Sequence, residues 1–217
     1  MNNRMNHMHA NLLCRGEING PCIYLMGGEE INVPSLKGAW LIQVQGADWN
    51  RDFSPWPAPK VFSKGDDFSG GGDAYLAALV QKIPLWEKEW GVAPLWRGIA
   101  GYSLSGLFSL YALTKTGLFS RCGCFSGSLW YPGWMEYLKK SGFVSAPQAV
   151  VFSLGDKESQ TKHPLLSSIA ERTGETVAFL RERNIPCAFS WHPGGHFQDV
   201  DKRIFAGLEA MLLQKNN

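Results

Sequence analysis

Six short apolar runs constrain this chain more than any other feature. They lie at Cys22–Met26, 39–44, 97–101, Arg121–Phe125, 149–154 and 186–192. Several are apolar at successive rather than alternate positions, as strands are when a sheet is covered on both faces. Helical patterns lie between most of them. Residues 73–90 begin with Asp73, a residue type suited to an N-cap, and carry Pro84, where a kink is expected. Leu104, Leu107, Phe108, Tyr111 and Ala112 recur at i, i+3, i+4, i+7 and i+8, one face of a helix. Residues 165–183 and 197–214 are the other long helical stretches. This alternation predicts parallel βαβ units in one doubly wound sheet. A chain of 217 residues holds one sizeable core and is short for two, so residues 1–217 are read as a single domain.

Composition removes several function classes. The formal net charge is +2 and no Lys/Arg cluster stands out, which argues against nucleic acid or an anionic membrane as partner. No apolar run approaches the roughly 20 residues needed to span a bilayer. The N-terminal stretch shows no secretory apolar run, so a cytoplasmic protein is expected. Five cysteines are present, and most sit in apolar surroundings that suit buried free thiols. Cys122 and Cys124 are spaced C-x-C without a second ligand pair, too little for a metal site. Residues 46–72 break the alternation: three prolines, many glycines, Trp49 and Trp56 predict a long loop of functional kind.

The stretch 98–110, GIAGYSLSGLFSL, is where a strand turns into a helix. Ser103 stands on that turn with Gly101 two residues before it and Ser105 two after. A tight strand–turn–helix needs small residues at both places, and G-x-S-x-S-G is a variant of the G-x-S-x-G nucleophile elbow. Ser103 would then sit at the carboxyl edge of the sheet, where open α/β folds bind ligands. The helix N-terminus favours negative charge there, and the Leu104 N–H is the natural first oxyanion donor.

A serine hydroxyl needs a base. His7 and His9 fall in an N-terminus expected to fray, His163 near a helix start, and His192 at a strand end. His196 differs: it follows a Gly-rich turn after the last strand, on the edge that carries Ser103. An acid should orient the imidazole, and Gly155-Asp156-Lys157-Glu158 follows the strand 149–154. Position favours Glu158, three residues past Gly155, with Asp156 suited to capping the turn. Both remain candidates. The order Ser103, acid, His196 is the one expected of α/β-hydrolases.

With these residues in view, GYSLSGLFSLYAL, CFSGSLWYPGW, SLGDKE and PGGHFQDV resemble the Putative esterase branch of the α/β-hydrolases. That branch includes esterase D-like, feruloyl and enterochelin-type siderophore esterases. The resemblance runs from about Cys22 to the C-terminus. It implies an α/β-hydrolase fold, a doubly wound and mostly parallel sheet with helices on both faces. It also implies Ser103 as nucleophile and His196 as base, in a serine esterase that uses an acyl-enzyme and needs no metal or organic cofactor. The substrate would be a small-molecule ester, small, aromatic or siderophore-like. The loop after the first strand lacks the His-Gly pair common in the wider fold, and its backbone near Gly27 or Gly28 should give the second oxyanion donor. Arg51 to Pro57 is similar to an Arg-x-x-Ser/Thr-Pro element near the active-site mouth in these esterases.

Residues 46–72 and 126–134 are accordingly expected to frame the substrate mouth, with Trp49, Trp56, Ser128 and Trp130 as lining residues. Arg51 would be a polar anchor there, unless it merely pairs with Asp48 or Asp52. Two other readings keep the fold. An acyltransferase would use the tryptophans to exclude water, and a binding protein would have lost its serine or histidine, which this chain has not.

Overall fold

Successive side chains of a strand point to opposite faces of a sheet, and the strands here build two cores by that rule. A computed structural model describes residues 7–27, 31, 33–63 and 65–214. In chain order it holds β1 (His9–Cys14), β2 (Cys22–Met26), β3 (Trp40–Gln45), α1 (Trp49–Asp52), β4 (Pro57–Ala58) and β5 (Phe68–Ser69). Then come α2 (Gly72–Trp90), β6 (Arg97–Tyr102), α3 (Leu104–Lys115), β7 (Arg121–Phe125) and α4 (Trp134–Ser141). β8 (Ala149–Gly155), α5 (Pro164–Ser167), α6 (Ile169–Glu182), β9 (Cys187–His192) and α7 (Val200–Leu213) complete the chain.

Seven strands form one sheet in the order β1-β3-β2-β6-β7-β8-β9, all parallel except β1, which runs antiparallel to β3. Cys22, Tyr24 and Met26 of β2 join the larger core with Leu79 of α2 and Phe108 of α3. Ile23 and Leu25 face the other way and pack with Ile204, Leu208 and Met211 of α7. The chain winds one way from β2 to β3 and the other way from β6 to β9. The switch point therefore lies between the neighbours β2 and β6, where a crevice opens at the carboxyl ends of a doubly wound sheet.

Several expectations need correction. His9 does not fray: it begins β1, and its ring lies within hydrogen-bond distance of the His7 carbonyl and of Gln45. An edge strand with one half-exposed face gives only a weak apolar pattern, so β1 was not legible. Residues 46–72 are not a plain loop, since they hold α1 and the β4–β5 pair. Asp73 does not cap α2: the helix starts from Gly71, and the carboxylate accepts from Tyr111 Oη at 2.6 Å and from Lys115. The stretch 165–183 divides at Ser168 into α5 and α6, and α7 begins at Val200 after Asp199 in the left-handed region. α4 was not anticipated. Cys122 and Cys124 are buried within the larger core, where burial raises both thiol pKa values. Among the described residues, no helix is long and apolar enough to cross a membrane.

Candidate active site

The turn between β6 and α3 places Ser103 at the switch point with φ 60° and ψ −124°, a conformation that non-glycine residues seldom adopt. The neighbourhood holds it there. Ser103 donates its N–H to the Phe125 carbonyl at 3.0 Å, and its own carbonyl accepts from the N–H groups of Ser128, Gly106 and Leu107. A Cβ on Gly101 would lie 2.4 Å from the Ser105 carbonyl oxygen, so only glycine fits. Ser105 does more than stay small. Its fully buried Oγ accepts from the Tyr102 N–H at 3.0 Å and reaches the Met26 carbonyl, 2.9 Å away, at the end of β2. That hydroxyl ties the elbow to the neighbouring strand.

Ser103 Oγ lies 3.0 Å from His196 Nε2, and His196 Nδ1 lies 2.7 Å from Glu158 Oε2. A carboxylate only accepts, so Nδ1 carries the proton and Nε2 is left to accept from the serine hydroxyl. Glu158 is buried, and its other oxygen accepts from Ser126 Oγ at 2.7 Å, from the Gly155 N–H at 2.7 Å and from Arg203 at 3.0 Å. Burial pushes its pKa up. Hydrogen bonds from His196 and Ser126, the His196 charge and the Gly155 N–H outweigh that and hold the carboxyl below its usual range. Asp156 goes elsewhere: its carboxylate accepts from the Gly194 N–H at 2.7 Å and shapes the histidine loop.

Two positions that sequence reasoning passed over complete this network. Ser126, at φ 43°, links the end of β7 to Glu158. Arg203 of α7 is 1% exposed, and its Nη atoms donate to Glu158, Tyr102 Oη and the carbonyls of Pro193 and Gly195. Tyr102 Oη in turn donates to the His196 carbonyl. Loop and acid are thus held from below by one guanidinium. An arginine on an amphipathic helix carries no sequence mark of burial, which is why it was missed.

The oxyanion expectations divide. Leu104 opens α3, where the first N–H groups have no acceptor within the helix. The Gly27 N–H, expected as a second donor, instead extends the β2–β3 ladder to the Val44 carbonyl at 3.2 Å. Gly28 lies outside the described residues.

The mouth also differs from expectation. Ser103, His196 and Trp130 line a cavity of about 250 Å³ together with Phe62, Leu166 and Phe197. Ser128 is buried beside it, its Oγ 3.5 Å from that of Ser103. Arg51 is not there. It forks onto Asp52 at 2.7 and 3.0 Å, approaches Asp48 at 3.4 Å, and lines a separate cavity with Tyr75. Trp49 packs edge-on against Phe53, away from Ser103. Trp56 wedges among Tyr111, Tyr131 and Tyr137 and donates to the Pro132 carbonyl. The Trp49 and Trp56 rings and the Arg51 guanidinium have their partners elsewhere in the protein, which removes these three from the mouth. Trp56 instead fastens residues 46–72 to 126–134. Phe62, also in 46–72, was not singled out because a lone phenylalanine in a loop carries no pattern.

The family model described as Putative esterase matches residues 36–196. The uncharacterized protein YbbA of Bacillus subtilis is 29% identical over 179 residues, covering 75% of this chain and 72% of that protein. Among solved structures, an IroE-like serine hydrolase from Shewanella oneidensis superposes with a TM-score of 0.71 at 17% identity, covering 89% of this chain and 69% of the other. The siderophore hydrolase EstA from Aspergillus nidulans gives 0.71 at 16%, covering 96% and 95%. These likenesses, with the mostly parallel sheet, show the α/β-hydrolase fold.

Proposed function

Because the chain belongs to the Putative esterase family, a family of serine esterases, we propose that it hydrolyses carboxylic esters through Ser103, His196 and Glu158. The observation that carries this reading is the unbroken relay of 3.0 and 2.7 Å contacts from the serine hydroxyl to a buried carboxylate. Ser103 Oγ attacks the acyl carbon as His196 Nε2 takes its proton. The tetrahedral oxyanion forms against the N-terminus of α3, where the Leu104 N–H donates to it. Glu158 stabilises the imidazolium, and its depressed pKa keeps it anionic for that task. The alkoxide leaves with the proton from His196, and an acyl-serine remains. Water then gives its proton to His196, attacks the acyl carbon, and releases the acid and free Ser103. Trp130 bounds the space in which the ester sits, and the Ser128 hydroxyl lies beside the nucleophile.

The test is pre-steady-state hydrolysis of nitrophenyl acetate. A burst of nitrophenol equivalent to one acyl group per chain is expected, followed by slower turnover. Ser103→Ala should remove the burst and lower turnover by at least roughly a thousandfold. Turnover retained in that variant would rule the mechanism out.

A further inference from the structure

The cavity beside Ser103 has apolar walls. Phe62, Trp130, Leu166, Ile169 and Phe197 build them, and Thr161 stands on the exposed side. Its volume of about 250 Å³ lies below the roughly 300–1,000 Å³ typical of pockets for drug-sized ligands. Two of its aromatic rings are left largely in water: Phe62 is 53% exposed and Phe197 82%. Phe197 also sets its ring edge-on to the His196 imidazole at 4.9 Å. An apolar group that covers Phe197 therefore lies next to the reacting atoms. Apolar surface gathered at a cavity mouth gains when a ligand covers it.

Charge is an independent observation. Among the described residues no lysine or arginine lines the cavity. Lys157 and Lys162 belong to the adjoining turn, and neither reaches the lining. The Nη atoms of Arg203 are engaged by Glu158, Tyr102 and two backbone carbonyls. Glu158 is itself part of the lining, but its oxygens are taken by Arg203, His196, Ser126 and the Gly155 N–H, so that ion pair is closed on itself. A carboxylate on a ligand would lose water against aromatic walls and gain no cation from the described lining.

Resting on the serine-esterase reading above, we infer that the site selects esters whose cavity-bound part is small, apolar and uncharged. It rejects esters that carry a carboxylate close to either side of the bond. Phe62, Trp130 and Phe197 set this specificity by covering the apolar part.

Three esters of similar size test it: phenyl butyrate, phenyl hemisuccinate with the charge on the acyl side, and carboxyphenyl butyrate with the charge on the leaving group. Phenyl butyrate should exceed both acids in kcat/KM by about fiftyfold or more. Phe62→Ala should raise the KM for phenyl butyrate about fivefold with kcat held, and Phe197→Ala should raise that KM by a similar factor. Thr161→Arg should raise kcat/KM for the two acids about tenfold without raising that for phenyl butyrate. Acid esters cleaved within about threefold of phenyl butyrate, while Ser103→Ala is dead on all three, would overturn the inference and leave the esterase reading standing. An unchanged KM in both phenylalanine variants would also overturn it. Activity surviving in Ser103→Ala, or no cleavage of any ester by the wild type, would instead fail the esterase reading and this inference with it.

Discussion

Glu158 and Asp156 stand two residues apart and do different work. Glu158 meets the imidazole, whereas Asp156 holds the Gly194 N–H. Glu158→Gln should therefore lower kcat about a thousandfold or more, because it forces the wrong imidazole tautomer, and should also lower the melting temperature, because buried Arg203 loses its carboxylate. Asp156→Asn should cost less than about tenfold, since an amide oxygen still accepts from the loop. Steady-state kinetics beside thermal melts separate the two. The preference for Glu158 was legible from its distance past Gly155. Arg203 was not, because its partner Glu158 lies 45 residues away in sequence. Arg203→Met removes a buried charge from its partner and should cost about 3–5 kcal/mol of stability by urea unfolding. Arg203→Lys keeps the charge but not the planar fork that serves acid and carbonyls together, and should recover only part of that loss.

At the scale of elements, the elbow is where sequence and structure agree most closely. Ser103, the small neighbours and the apolar face of α3 are local, so a short window contains them. What Ser105 contributes is not local, because its hydroxyl meets the Met26 carbonyl 79 residues away. Ser105→Ala leaves that carbonyl and the Tyr102 N–H without their buried partner, and should destabilise by about 1–3 kcal/mol. Gly101→Ala should cost more. The added methyl meets backbone at 2.4 Å, which cannot swing aside as a side chain would. Equal effects of the two substitutions in urea unfolding would contradict this account of the turn. Residues 46–72 show the opposite case. Strands of two residues such as β4 and β5 are too short to show a period, and only tertiary contacts decide that Trp56 turns inward while Phe62 faces the cavity.

Across the whole molecule, the sheet brings four chain segments to one edge: the ends of β6, β7 and β8 and the loop after β9. The mostly parallel order was legible because βαβ alternation leaves few topologies, and the antiparallel β1 was not, since an edge strand needs little apolar pattern. Concentrating charge at that edge links folding to pH. The folded Glu158 pKa is depressed, so its contribution to stability is complete above the ordinary glutamate range and is lost as pH falls through the lowered folded value. The stability gap between wild type and Glu158→Gln should thus be constant near neutrality and shrink below about pH 4, as urea melts at several pH values would record. A gap that widens on acidification would mean that the carboxyl is buried protonated. The most direct measurement for the account as a whole is covalent labelling by a fluorophosphonate, read by intact-protein mass spectrometry and peptide mapping. The wild type should take up one phosphonyl group on Ser103, His196→Ala should label far more slowly, and Ser103→Ala not at all. Labelling that persists in Ser103→Ala, or a wild type that stays unlabelled, would contradict the central claim that this hydroxyl is an activated nucleophile.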